Sequence, residues 1–331
     1  MRKIICLMLV LAMLYGGYWF VGRSQIQSRL TDAIVQIDAS AVNVTYESLA
    51  TRGFPSRFDT TLVDLMVEYP DARIRWETPI FQLLALSYQP NNVRAYFPNE
   101  QVFTVNEKRY TLYTNEMVAR SQVSANTTLA LQQAELELLD PQLHSENGAE
   151  LSLARLFAAM RLTPGTTQSY DVYFEANSIV LPENIRNLID PKNLQPQIMQ
   201  SLRLDTDLVL SDQIELNSTD ANSLSIAALS IKEFTFAWGE MSVSAIGDVT
   251  SNETGLLDGS ITISGSNWQQ AFDLAVSSGI LEEKYIFLAT QIANNFDETP
   301  HLLDTLTVTL SIVKGELTLG GFVVGTAPLL R

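Results

Sequence analysis

From Val42 to Val324 apolar and polar side chains alternate in short runs, and this two-residue period constrains the fold more than any other feature of the chain. Successive side chains of a strand point to opposite faces. Runs such as Val42-Asn43-Val44-Thr45-Tyr46 and Phe58-Asp59-Thr60-Thr61-Leu62 therefore present one apolar and one polar side, as half-buried antiparallel strands do. The period returns at Ile74 and Trp76 and across 93–97, 101–105, 110–114, 118–123, 129–138, 170–181, 202–210, 224–238, 241–249, 260–264, 305–313 and 316–324. Turn-forming clusters separate these runs, among them Gly53-Phe54-Pro55, Pro70-Asp71, Asp140-Pro141, Gly239-Glu240 and Lys314-Gly315. Asp258-Gly259 predicts a tight hairpin turn with positive φ. Residues 151–162 suit either state, since Leu153-Ala154-Arg155-Leu156-Phe157-Ala158-Ala159-Met160 has good helix propensity. Helices are expected over 183–201, broken by Pro191 and Pro196, after an Asn267 cap to a stop at Gly279, and over 281–295.

Ahead of the alternation lies a run of different character. Ile4 to Gly22 is uncharged, and nineteen residues at ~1.5 Å each make ~28 Å, about one hydrocarbon thickness. Arg2 and Lys3 before it would also suit a secretory signal, but its far end holds Tyr15, Tyr18, Trp19 and Phe20 rather than small cleavage-site residues. Tyr15, Tyr18 and Trp19 read instead as an interfacial aromatic belt. The expectation is an uncleaved anchor over 1–22, with secretion after cleavage as the alternative. Ile26, Leu30, Ile34 and Ile37 continue at helical spacing, giving either a stalk over 23–37 or an ordinary first helix of the β-rich body. Residues 38–331 are then one β-rich domain, subdivided, if anywhere, near 183–201. The expected fold class is mainly β with a few helices: an extended, curved antiparallel sheet, groove or half-barrel, behind an N-terminal transmembrane helix.

Charge narrows the partners. The 331 residues carry 21 Lys+Arg against 37 Asp+Glu, a net −16, and setting aside Arg2 and Lys3 leaves a body of −18. No basic stripe exists to neutralise phosphates, so no nucleic acid is expected. The two basic residues and the α-amino group favour a cytoplasmic N-terminus, which places the body in the periplasm, attached to the inner membrane through residues 4–22. The only cysteine, Cys6, falls inside the apolar run, so the body has no thiol to oxidise.

Phe236-Ala237-Trp238-Gly239, Val243 to Gly247, Gly255 to Ile263, Gly315 to Gly321 and Gly325-Thr326-Ala327-Pro328, together with Gly53-Phe54-Pro55 behind an N-terminal apolar segment, resemble an uncharacterised alphaproteobacterial envelope family defined as a domain of unknown function. Such proteins are distantly similar to the AsmA type of envelope protein, and the resemblance implies a trough of amphipathic strands for lipid. It brings no catalytic residues with it.

Catalytic chemistry finds few residues to work with. His144 is expected in a polar loop and His301 follows Pro300, and neither has a partner at helical spacing. Nucleophile elbows, phosphate loops and zinc-helix motifs are absent from the sequence. Asp205 with Asp207, and Glu135 with Glu137, each place two acids on one strand face, which could serve Ca²⁺ or acid–base work but equally forms a solvated face. No catalytic, cofactor or metal residue is assigned and no enzyme is expected. A sheet with one apolar face must cover it, and the few helices leave a groove for lipid or hydrophobic segments as the expected function. A structural or assembly factor working through protein contacts is the alternative, and a carboxylate-dependent hydrolase is third. The oligomeric state is not legible.

Overall fold

A computed structural model describes residues 2–38, 42–215, 224–252, 255–279, 305–319 and 322–327. The apolar run and the segment after it form one element, the helix α1 (Arg2–Asp38). The rest is mainly β, and among the described residues every strand pairing given below is antiparallel. The chain divides into two compact units: residues 1–125 with 136–148, and 126–135 with 149–331. The helical break near 183–201 lies inside the second unit.

In the first unit the long strand β3 (Arg57–Tyr69) organises its neighbours. On one edge it pairs with β1 (Asn43–Thr45) and β2 (Ser48–Arg52), placed end to end, and on the other with β4 (Ile74–Leu86). The far edge of β4 is shared in turn by β5 (Gln89–Tyr96) and β6 (Glu100–Val105). From these grow two branches, β5 to β8 (Glu116–Val123) and β6 through β7 (Lys108–Tyr113) to β10 (Gln142–Ser145). Phe58, Leu62 and Leu65 are buried. The step of three from Leu62 to Leu65 spans Asp64, whose φ of 49° kinks the strand and keeps both leucines inward.

The helix α1 is fastened to this unit. Trp19 is 3% exposed, stacks on Phe58 at 5.8 Å, meets Phe54 edge-on at 5.4 Å, and donates from Nε1 to the Arg57 carbonyl at 2.8 Å. Tyr15 Oη donates to the Pro55 carbonyl at 3.1 Å and shares a 2.7 Å hydrogen bond with Ser87 Oγ, while Tyr18 Oη donates to the Ser87 carbonyl at 2.6 Å. The aromatics expected as an interfacial belt thus form a docking surface. Gly22 lies against Phe58 so closely that a Cβ there would come within 2.8 Å of the ring.

The second unit is a β-meander. Strands β12 (Arg155–Leu162), β13 (Ser169–Val180), β14 (Ile198–Leu210), β15 (Ile226–Trp238), β16 (Met241–Ser251), β17 (Leu257–Ser266), β18 (Thr305–Val313), β19 (Glu316–Leu319) and β20 (Phe322–Thr326) each pair with the next in sequence. The ambiguous segment 151–162 resolves into β11 (Glu150–Ser152) and β12, because a full register with β13 outweighs its local helix propensity. Strand β9 (Leu131–Leu139) precedes them in the chain, and its first half belongs to this unit. Helix α2 (Glu183–Ile189) is shorter than expected, since Pro191 and Pro196 end it and 198–201 already belong to β14. Helix α3 (Trp268–Ser277) starts after Asn267 as expected, but the Asn267 side chain donates to the Glu240 carbonyl at 2.7 Å instead of capping, and Gly279 at φ 76° ends it. The expected helix at 281–295 lies outside the described residues.

Asp258-Gly259 is not a turn. Both residues sit within β17, and the β16–β17 connection is closed one step earlier by Asn252, whose N–H donates to the Leu256 carbonyl and whose Oδ1 accepts from the Leu256 N–H. Gly259 has the expected positive φ, 151°, but inside a strand, and a Cβ there would stand 2.1 Å from the Asp248 carbonyl oxygen on the neighbouring strand. Lys314-Gly315 does form the closing hairpin, with φ of 49° and 80°.

Candidate functional site

Register turns the alternation of the second unit into two surfaces. One row of partners runs Met160, Val172, Thr206, Ile231, Gly247, Ile261, Leu310, Leu319 across eight strands. The parallel row runs Ala158, Phe174, Leu204, Phe234, Ala245, Ile263, Val308. The row flanking the first, on the opposite face, is Arg161, Asp171, Asp207, Ser230, Asp248, Ser260, Ser311, Thr318. One side of the meander is therefore apolar but for Thr206, and the other is mostly polar, with Ala159, Tyr173 and Ile246 among its residues.

The apolar side is sealed at its ends and open between them. At one end Ala176, Ile179, Met199, Trp238 and Met241 close around Leu274 of α3, with Ile189 of α2 against them. At the other, Val249, Leu257 and Ile312 form a smaller cluster. Between these, every residue of the two apolar rows except the buried Thr206 is only half-buried among the described residues. A filled core would bury such positions fully. Thr206 accounts for its own burial, because its hydroxyl donates to the Ser230 carbonyl at 2.8 Å.

The polar face carries the acid pair 205/207 beside a set of ion pairs, of which Asp207 is a member. Asp207 meets Lys232 at 2.5 Å, Asp171 meets Arg161 at 2.6 Å and accepts from Thr163 Oγ1 at 2.8 Å, and Glu175 lies between Arg155 at 3.4 Å and Arg203 at 3.2 Å. Arg161 and Thr163 hold the Asp171 carboxyl below the ordinary carboxylate range, and Asp207 raises the Lys232 ammonium. A cavity of about 320 Å³ opens here between Glu135, Arg161, Asp171, Tyr173, Asp205 and Lys232. Its acids face cations, and among the described residues no group of three or more His, Cys, Asp or Glu is placed to hold a metal ion. Glu135 accepts from Gln133 Nε2 at 2.6 Å. Glu137, which spacing pairs with it, lies further along β9. His144 is not in a loop: it belongs to β10, its ring edge-on to Tyr113 at 5.5 Å. His301 lies outside the described residues.

A folded-state pKa below the unfolded one stabilises above the unfolded value and is lost as pH falls through the folded value. Urea unfolding followed by far-UV circular dichroism is therefore expected to show a falling midpoint below about pH 4, and Asp171→Asn to flatten that fall. An equal pH response in the variant would remove Asp171 from the account.

Sequence reasoning does not find the fastening of α1 to Pro55, Arg57 and Ser87, since contacts over 38 to 72 residues leave no local period. The surplus of aromatics at 15–20, beyond what an interface belt needs, is the available signal. A family model described as uncharacterised protein conserved in bacteria (DUF2125) matches residues 19–328, so the match opens on the docked Trp19. No curated protein matches the chain.

Proposed function

The chain belongs to the DUF2125 family of uncharacterised bacterial proteins, and we propose that it is a membrane-anchored, non-catalytic envelope protein that holds acyl chains or other hydrophobic segments on the open apolar face of its second unit. The observation that carries this reading is the pair of apolar rows, aligned across seven and eight strands and half-buried between two sealed ends. Apolar area left in contact with water costs about 25 cal/mol per Å², so a ligand that covers it gains that much on binding. The apolar helix α1 supplies the attachment: its candidate span, Lys3–Asp32, has a mean hydropathy of 2.2. Retention of the helix is supported by the burial of Trp19 against Phe58, which cleavage beyond that point would undo. The acidic body belongs on the periplasmic side in this reading, and a reporter fused after Arg331 should be active only outside the cytoplasm.

The test is a filling substitution. Full-length protein in nanodiscs should take up a photoactivatable fatty acid into peptides of β14–β17. Ala245→Trp, which occupies the middle of the face, should reduce labelling at least about fivefold with the melting curve unchanged, an effect of about 1 kcal/mol. Undiminished labelling of the variant, or labelling confined to α1, would overturn the reading.

A further inference from the structure

The helix that carries the membrane attachment also fixes the depth of the first unit, which rests on the anchored reading above. Tyr15 is bonded to Pro55 and Ser87, and Trp19 to Arg57. Seven residues separate Tyr15 from the end of the uncharged run at Gly22, ~10 Å along a helix at ~1.5 Å per residue. Were the connections after β2 and β4 held clear of the bilayer, only Ile4 to Leu14 would remain to span it. That is ~17 Å against a hydrocarbon thickness of ~30 Å. The 53–56 and 87–88 connections must therefore enter the interface.

Their surfaces suit that position. Phe54 is 55% exposed and Tyr88 65%, beside Phe20 at 58% on the helix. Phe20 and Phe54 stack at 5.9 Å, so helix and connection present one aromatic edge. Aromatic residues of this kind are favoured at the membrane–water boundary. In a chain of net −16, an open cavity beside these connections is cationic. It measures about 400 Å³ and is lined by Arg57, Leu84, Leu86, Gln89, Arg94 and Tyr96, with no carboxylate of the described residues in its wall. Register places Arg57 beside Leu86 and Leu86 beside Gln89, with Arg94 beside Leu84. Leu84 is three residues from Ser87, ~10 Å along a strand at ~3.4 Å per residue. This spans the headgroup layer, which adds ~5–7 Å on each side of the hydrocarbon. Arg57 is paired with Asp59 at 2.8 Å but keeps 57% of its side chain exposed.

We propose that Phe54 and Tyr88 form a membrane-inserted foot, and that the Arg57–Arg94 cavity above it takes the phosphate of a phospholipid headgroup in the same leaflet. Guanidinium forks match phosphate oxygens in pairs, and the leucines and Tyr96 provide the apolar wall that the glycerol and upper acyl carbons need. The source of the phosphate is the bilayer, because the foot holds the cavity at that height.

The experiment uses the full chain in vesicles of phosphatidylcholine with 30% phosphatidylglycerol. In a Cys6→Ser background, an environment-sensitive fluorophore is placed at Phe54→Cys, at Tyr88→Cys and, as a solvent-side control, at Asp71→Cys. Emission from positions 54 and 88 should shift to the blue and be quenched by shallow spin-labelled lipids, while position 71 stays aqueous. Native mass spectrometry should find phospholipid retained by the unlabelled protein and lost at least about fivefold in Arg57→Gln/Arg94→Gln, with Arg57→Lys/Arg94→Lys retaining most of it and the 54 signal unmoved. Aqueous emission at both 54 and 88 in protein that co-floats with vesicles would overturn the foot, whereas protein that fails to co-float overturns the anchored reading instead. Equal lipid retention in the Gln variant, or complete displacement of lipid by 10 mM inorganic phosphate, would overturn the headgroup assignment, the latter in favour of free phosphate.

Discussion

Replacing Trp238 by alanine is expected to cost about 3–5 kcal/mol and to unfold the sealed end of the second unit first. Trp238 is 1% exposed and lies at the centre of the cluster formed by Ala176, Met199, Met241 and Leu274. Its Nε1 donates to the Pro196 carbonyl at 2.7 Å, so it also ties the segment after α2 to the β15–β16 hairpin. Removing the indole leaves a large void and a carbonyl without that donor, two penalties that add. Trp238→Phe keeps most of the volume and should lose only about 1–2 kcal/mol. Urea unfolding monitored by far-UV circular dichroism separates the two variants. A Trp238→Ala midpoint within about 1 kcal/mol of the parent would show that the helices do not cover this end.

Gly259→Ala should destabilise nearly as much, by about 2–4 kcal/mol, although it adds one methyl group on a sheet. The new carbon would stand 2.1 Å from the Asp248 oxygen and 2.9 Å from Val249 Cα, both backbone atoms that cannot rotate away. Gly247 is the reciprocal case on β16, where an added methyl would lie 2.3 Å from the Ser260 carbonyl oxygen. These two glycines let β16 and β17 approach where side chains would part them. Gly325→Ala is the control, since its Cβ would meet only Leu317 at an ordinary 3.9 Å. It should change the urea midpoint by less than about 0.5 kcal/mol. Equal behaviour of the Gly259 and Gly325 variants would refute the close-approach explanation.

The pattern of Leu202, Leu204 and Leu208 against Arg203, Asp205 and Asp207 is legible because a strand's two faces are written in its own sequence. The apolar face follows from it directly. Asp258-Gly259 misleads for an equally physical reason: a positive-φ glycine that closes a turn and one inside a strand that admits a neighbouring backbone look alike in one dimension. At 151–162 local propensity favours helix or strand alike, and only β13 decides. The ion-paired state of Asp207 depends on Lys232 across a bulged register between β14 and β15, where sequence spacing gives no distance. The docking of Trp19 and the cavity at Arg57 and Arg94 are wholly out of reach, being made by residues far apart in the chain.

The meander has a consequence for how the second unit comes to exist. From β12 to β20 each strand hydrogen-bonds to the one made just before it, and the β15–β16 and β18–β19 connections are only two residues long. Contacts of such short sequence separation close quickly and do not wait for the C-terminus. A chain emerging N-terminus first can add these strands one at a time to a growing edge as far as β17, whose partner β18 follows only after residues 267–304. Assembly from β12 to β17 can therefore keep pace with synthesis.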